Sequence, residues 1–523
     1  MPPDPVDQTK RYLEAQAQVG VHLNALPPIR DQGPRPAMSR VVVDRDSLDW
    51  ATAETVAELL QRVPGVYLWR GGWIGRPEYP NFQGRGTASV EYVLDGLPYV
   101  PIGPDSLAVD PSLLALTFLD RIEIERWPGL LRVHLFTRRH DSRAPGSRIG
   151  IASGDQRFAR YSGALQRRFN SGLGFAVAGE YLNSPTITGV SGDDTNTDYW
   201  LQASYVPSPR FGAQYQLVLM EPDRRPYGAN GTPLRGTRTD AQARVFFGGR
   251  ADGTGPRVDL LYGRIGWSGS GIDNQVNQGG VVASYRAPTF SLGASGFNRS
   301  RWTPLDFHLQ AGWAPTGAIA ASAEAGYQTH DFKRTSQWVG LRGGLRLPLS
   351  IEASAAVRTG SIVAAPSLRT DPAQRVTDLQ AAIGWQRPRL GLELTYGRTD
   401  GFRPQTYQPF LTVDSLGPSG RTQWVTVAWR VAPRSWLTLD GWYSDPSGAA
   451  PEGLPPTHSL SSATIRSKFW RTFPSGTFDF KAQGSMEAWS DGVLGRDATG
   501  APIELRGATF FRSYLSLRLQ GFT

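Results

Sequence analysis

The residue types that most often carry chemistry are sparse in this chain and are not spaced to act together. The six histidines, His22, His134, His140, His308, His330 and His458, form no metal-ligand pair, and no H-E-x-x-H occurs. Cysteine is absent, which removes disulfides and thiolate metal sites. None of the four lysines, Lys10, Lys333, Lys468 and Lys481, follows a glycine, so there is no P-loop, and no G-x-S-x-G elbow is present. His308 and His330 are the only candidates for a hydrolytic base, and ordinary histidines at the rim of a sheet account for both. Asp193 and Asp194 offer carboxylates to calcium, but a solvated loop tip is the plainer reading. The chain is therefore not expected to be an enzyme, nor to need a cofactor or a resident metal.

The elements that would position these residues are strands. From about residue 148 to 522 the sequence repeats one unit, an alternating run of about ten residues followed by a turn. Leu390, Leu392, Leu394 and Tyr396 oppose Gly391, Glu393 and Thr395. Ala213, Tyr215, Leu217 and Leu219 likewise oppose Gly212, Gln214 and Gln216. Proline-bearing short turns recur at 207–210, 287–289, 314–317, 347–349, 387–389 and 432–434. Longer polar connections fall between them at 184–196, 221–236, 362–375, 399–421, 445–458 and 490–507.

Alternation of short and long loops puts all short turns at one end of a sheet. Runs of ~10 residues also match what a tilted strand needs to cross a bilayer. No apolar run approaches the ~20 residues of a membrane helix. The pattern implies a mostly β chain, a transmembrane antiparallel β-barrel of about 20–22 strands. Aromatics near strand ends, Tyr199, Trp200, Trp267, Trp313, Trp338, Trp385, Trp424, Trp429, Trp442, Tyr443, Trp470 and Trp489, are expected to form girdles at the two lipid interfaces. A soluble sandwich would not alternate its loop lengths so regularly, and a propeller would show fixed-period repeats. The chain ends in an alternating strand with Phe522 next to last, resembling an outer-membrane assembly signal.

The net charge of +9 is almost all arginine, scattered along strands, not gathered in a basic tract. It argues against a nucleic-acid partner. It fits either GC-rich coding bias or a lumen that attracts anionic solutes. Residues 1–12 have no apolar core of a signal peptide, so this start is expected to be mature, trimmed or misassigned.

The first third is a different object. A short strand at 40–44 is followed by a helix with Val56, Leu59, Leu60 and Val63 on one face, capped by Thr52 or Asp49 and stopped at Pro64-Gly65. Short strands are expected at 79–83, 89–94 and 121–125, with a turn at Asp95-Gly96. The organisation is then a flexible leader over 1–38, an α+β domain over 39–145 and a barrel over 146–523.

Four stretches occur here in a telling order: Glu54-Thr-Val-Ala-Glu-Leu-Leu-Gln-Arg-Val-Pro-Gly-Val66, Phe82-Gln-Gly-Arg-Gly86, Val93-Leu-Asp-Gly-Leu-Pro98 and Leu119-Asp-Arg-Ile-Glu-Ile124. Together they resemble the plug domain of TonB-dependent receptors, with Pro64, Gly65, Gly84, Asp95, Gly96, Ile122 and Glu123 as its structural motif residues. The resemblance implies a plug inside the barrel lumen, residence in the bacterial outer membrane among its lipids, and import of a small-molecule or oligomeric ligand. It also implies energy delivered by a TonB-type periplasmic coupling protein. By position, the outward plug apices would be 69–79 and 99–108. Their ligand-binding candidates are Trp69, Arg70, Trp73, Arg76, Tyr79 and Tyr99, which combine rings for stacking with guanidiniums for anionic groups. Packing of those rings against the barrel wall is an alternative of equal weight.

Two family features are absent: a clear TonB box in residues 1–38, and the glycine-rich stretch before the last plug strand. Here Trp127-Pro-Gly-Leu-Leu-Arg132 runs straight into Val133. The departures leave three readings to separate: an energised importer, an uncoupled plugged scaffold, and a diffusion porin.

Overall fold

The computed structural model describes residues 21–29, 39–70, 78–103, 107–185, 193–224, 234–250, 253–405, 413–447, 450–469 and 478–519. Among them twenty antiparallel strands follow one another around a ring in chain order, from β8 (Gly146–Ser153) to the closing strand Ala508–Leu519. Inside lies a smaller unit built from β1 (Arg40–Val43), β2 (Val66–Arg70), β3 (Glu78–Phe82), β4 (Val90–Leu94), β5 (Leu97–Pro98), β6 (Leu119–Trp127) and β7 (Leu130–Thr137). Its sheet order is β1-β6-β7-β4-β5, with β4 parallel to β7, while β2 and β3 form a separate hairpin.

The wall strands reverse the polarity of a soluble protein. In Leu390–Thr399, the apolar residues Leu392, Leu394 and Tyr396 are exposed to the outside, and Gly391, Thr395 and Gly397 are buried inside. A period of two places one apolar face against lipid and one mixed face against the lumen. The short turns fall as expected, for example between Ser208 and Phe211, Arg286 and Phe290, and Arg387 and Leu390.

Two long connections are shorter than the sequence suggests. The strands Leu173–Pro185, Asp193–Ser208, Phe211–Arg224 and Leu234–Gly248 continue their ladders through polar residues, such as the pairs Ser184 with Asp194 and Thr195 with Asp223. A ladder satisfies backbone groups whatever the side chains are, so a polar stretch past the membrane need not be loop. The connection over 490–507 contains a hairpin of its own, Gly492–Arg496 with Pro502–Leu505.

The aromatic girdle expectation needs correcting. Tyr199 and Trp313 face outward, but Trp200, Trp267, Trp338, Trp424 and Trp442 are buried on the lumen face. Parity decides this, since Trp200 shares its face with Asp198 and Tyr199 does not.

In the inner unit, the short helix Val56–Leu60 is buried along its whole length. Thr55 caps it, accepting from the Glu58 N–H at 3.2 Å, while the Glu58 carboxylate accepts from the Glu54 N–H at 2.8 Å. This reciprocal pair satisfies two donors that the first turn would otherwise leave open. The cap is thus neither Thr52 nor Asp49, because the helix begins later than the apolar spacing suggests. Asp49 instead ends the preceding helix, Arg45–Asp49.

Candidate functional site

On one side the inner unit is joined to the wall by apolar packing. Its core of Leu60, Phe118, Ile122 and Leu131 continues without a break into Trp200, Val218 and Met220 of the wall. Phe118 and Trp200 stack with ring centres 6.4 Å apart. Nearby, the Arg238 guanidinium lies 4.0 Å over the Tyr99 ring and donates to the Val100 carbonyl at 3.1 Å.

Elsewhere the attachment is ionic. Arg132 of β7 meets Glu324 of the wall at 2.8 Å, with Glu91 at 3.0 Å and Glu125 at 3.5 Å. Arg126 meets Glu393 at 2.6 Å, Arg224 meets Asp110 at 2.7 Å, and Arg85 pairs with Asp378. Such pairs roughly break even as net stabilisers, but removing one partner strands a buried charge at a cost of about 3–5 kcal/mol. They fix a position, and each is a pair that water can replace.

The motif residues set the chain's turns. Gly65, Gly84 and Gly96 take positive φ of 86°, 73° and 89°, and Pro64 precedes the first of them. Asp95 (φ 46°) and Gly96 form the two-residue turn from β4 to β5, the left-handed pair that an Asp-Gly hairpin uses. The Asp95 carboxylate accepts from the Thr137 N–H at 3.1 Å, the Thr137 hydroxyl at 2.6 Å and the Gln216 amide at 2.8 Å. One side chain therefore ties the turn to β7 and to the wall. Ile122 is fully buried, and Glu123 pairs with Arg40 of β1 at 2.8 Å.

Of the proposed apex residues, Trp73 and Arg76 lie outside the described residues. The other four are buried or nearly so. Trp69 and Tyr79 pack with Val413, Leu416, Trp424, Leu454 and Leu505 beneath the outer loops. The Trp69 indole donates to the Gly453 carbonyl, and a Cβ at Gly453 (φ 80°) would meet the ring at 2.1 Å. Arg70 is held by Glu78 at 3.1 Å and Glu58 at 3.5 Å. The loops above are interlocked, Arg496 bridging to Glu452 at 2.7 Å, whose carboxylate also accepts from the Gly417 N–H.

A cavity of about 290 Å³ lies between β4, β5 and the wall strands Ile272–Arg286, Phe290–Arg299 and Leu305–Thr316. Tyr99, His134, Gly293, His308, Gln310 and Trp338 line it. It reaches Ile29 at the end with the short turns and Pro366 at the end with the long loops. Trp338 lies over Gly326, where a Cβ would meet the ring at 2.0 Å. His308 sits 3.3 Å from Glu324, and His330 is held between Thr303 at 3.1 Å and Ser336 at 2.7 Å.

The described part of the N-terminal stretch is an extended strap at the short-turn end. Arg168 donates to the Asn24 carbonyl at 2.9 Å, and Arg244 to that of Pro27 at 2.6 Å. Ile29 packs with Leu97, Leu261 and Phe297 and sits against the Asp95-Gly96 turn, where a Cβ on Gly96 would meet it at 2.6 Å.

Burial tunes the inner carboxylates. It lifts Glu54 to about 6 against the opposing pull of Arg160, and it raises Glu78 despite Arg70 and Asp95 despite its hydrogen bonds. Sequence reasoning missed Arg132, Glu324, Arg85 and Asp378. Alternation marks Glu324 and Asp378 as lumen-facing, but it carries no information about which inner residue each will meet.

Residues 35–130 match the family model described as TonB-dependent Receptor Plug Domain. No curated protein matches the chain. Among solved structures, it is similar to a mutant of the ferric enterobactin receptor PfeA from Pseudomonas aeruginosa (TM-score 0.67, 11% identity, covering 92% of this chain and 91% of that one). It is also similar to the siderophore receptor PirA from Acinetobacter baumannii (0.66, 9%, 91% of each) and to the copper transporter OprC (0.70, 10%, 91% of each). The chain thus carries a match to the TonB-dependent receptor plug domain over residues 35–130, set inside a barrel that has the fold of those outer-membrane receptors.

Proposed function

We propose that this outer-membrane receptor is an energised importer of a scarce solute too large or too dilute for porins. A TonB-type protein would supply the energy from the periplasmic side. The observation that supports this best is the strap. It is held by arginines donating to its backbone carbonyls, bonds that water replaces as the strap peels away, and it ends on the turn fixed by Asp95. A pull on it therefore arrives at β4 and β5, next to the cavity between plug and wall. The relatives in fold include receptors whose names carry ferric enterobactin and copper, and a metal-bearing cargo is the first class to screen.

The test is binding of the periplasmic C-terminal domain of TonB to the full-length protein expressed from its native start. Saturable binding lost on removal of residues 1–38 supports the importer. A correctly plugged barrel that does not bind supports the second reading, an uncoupled scaffold. That reading is favoured by β6 turning directly into β7 at Pro128-Gly129, without the glycine-rich stretch. Stable conductance from the intact protein in planar bilayers would instead indicate a porin.

A further inference from the structure

Two carboxylates of the wall are buried face to face beside the plug. Glu180 of the strand Leu173–Pro185 stands directly opposite Asp198 of the strand Asp193–Ser208, and both face the lumen, 6% and 1% exposed. Like charges placed opposite each other on one face of a sheet repel. The Glu180 carboxylate accepts from the Thr117 hydroxyl of the plug at 2.5 Å, and one Asp198 oxygen accepts from the Asn196 amide at 2.7 Å. The guanidiniums nearby are engaged elsewhere, Arg160 with Glu54 at 2.7 Å and Arg224 with Asp110 at 2.7 Å. The group therefore sets four carboxylates, Glu54, Asp110, Glu180 and Asp198, against two guanidiniums. Two negative charges are left over where water is largely excluded, and such charge is costly without a partner.

Between these groups lies an enclosed cavity of about 10 Å³, the room of a single water-sized atom. Glu54 and Ser112 of the plug line it, with Glu180, Asn196, Asp198 and Arg224 of the wall. Two of the side-chain oxygens, Asp198 Oδ1 and Asn196 Oδ1, are buried without a hydrogen-bond partner, and Asn196 is only 5% exposed. Arg224 Nε also lacks a partner. A water between it and Asp198 would satisfy both atoms, but it would leave the two excess charges uncompensated. A divalent cation compensates them. The ligands are all oxygen, which selects a hard ion, and magnesium would need room for the waters it keeps. Among the described residues no three histidine or acidic side chains are grouped to hold a metal ion, so the site rests on two carboxylates completed by the Asn196 amide.

We propose that this cavity takes a calcium ion, held by Glu180, Asp198 and Asn196, and that the ion fastens the plug to the wall. The plug shares in the site through Thr117 on Glu180, Ser112 on Arg224 at 3.2 Å and the lining carboxylate of Glu54. Binding therefore depends on a seated plug, and a bound ion resists its release. Glu180 and Asp198 lie toward the long-loop end of their strands, so the ion enters from the outer medium. The site requires only the plugged barrel, so failure to bind TonB leaves it standing.

Terbium serves as the probe, because it replaces calcium at oxygen sites and emits when a nearby indole is excited. Trp200 lies on the same strand face as Asp198 and supplies that indole. The full-length protein in detergent is stripped with a chelator and titrated with terbium, then with calcium in competition. The site predicts saturable emission displaced by calcium, and slower proteolysis of the plug in calcium than in chelator. Asp198→Asn should weaken binding by about tenfold or more. Asp193→Asn, at the exposed strand end where Arg157 takes the carboxylate at 2.8 Å, should leave it unchanged. Should the Asp198→Asn protein fail to fold, Glu180→Gln keeps an acceptor for Thr117 and carries the same prediction. No saturable emission from the folded wild-type protein, or equal affinity in the Asp198 and Asp193 variants, overturns the site and leaves the cavity to water or protons alone.

Discussion

The two sides of the lumen hold the plug in different ways. Toward the wall strands Asp193–Ser208 and Phe211–Arg224, the plug core runs into Trp200, Val218 and Met220 as one apolar cluster, with a single ion pair, Arg224–Asp110, at the end of the second strand. Toward Ile319–His330, Gln374–Arg387 and Leu390–Thr399, the attachment is by the charged pairs Arg132–Glu324, Arg85–Asp378 and Arg126–Glu393. Apolar burial is lost in proportion to area as surfaces separate and has no partner to exchange. Ion pairs can pass from one partner to another or to water. Under the proposed import reading, the apolar side would be the pivot of the plug and the charged side the part that swings.

The largest effect should come from the pivot. Trp200→Ala empties a fully buried site and is expected to loosen the plug by about 3–5 kcal/mol, read as protease sensitivity of the plug within an intact barrel. Trp338→Ala removes the same side chain from the wall of an existing cavity and is expected to cost clearly less. Equal losses from the two would break the comparison.

Next comes the charged side. Arg132→Met leaves Glu324, Glu91 and Glu125 facing one another and is expected to cost about 3–5 kcal/mol by the same assay. Adding Glu324→Gln removes one of the stranded charges and should restore part of the loss. If the double variant is no better than the single one, Arg132 acts through packing, and the swing side is not ionic.

The architecture of both sides was largely legible in the sequence, and the contrast between them was not. Period-two alternation and the placement of short turns gave the barrel and its strand number, and Pro64-Gly65 and Asp95-Gly96 gave the plug's turns. These signals are local, written in a few adjacent residues. Trp200 was misplaced because clustering near strand ends was weighed above parity, although its neighbours Asp198 and Gln202 declare the face. The pair Arg132–Glu324 joins residues 192 positions apart, and no spacing along one chain records such a meeting. The apices were harder still: Trp69 looks like a ligand platform in sequence, yet loops as distant as Gly453 and Leu505 close over it.

The smallest effect sharpens the comparison at its edge, where the plug meets the wall strand Ala159–Arg168. Glu54 is buried beside Arg160 at 2.7 Å, and burial moves it from the ordinary 4.5 to about 6. A carboxyl whose value is raised on folding binds its proton more tightly in the folded plug than in the released one. Its contribution is therefore fully present below pH about 4.5 and declines as pH rises through about 6, by about 2 kcal/mol in all. Plug protection should thus weaken between mildly acidic and neutral pH, and Glu54→Gln should flatten part of that slope. Glu78 and Asp95 are raised by burial in the same sense, so a residual slope of the same sign should persist in the variant. A slope unchanged by Glu54→Gln would mean that Arg160 holds this carboxylate ionised throughout, and that the plug's grip on this strand owes nothing to its protonation.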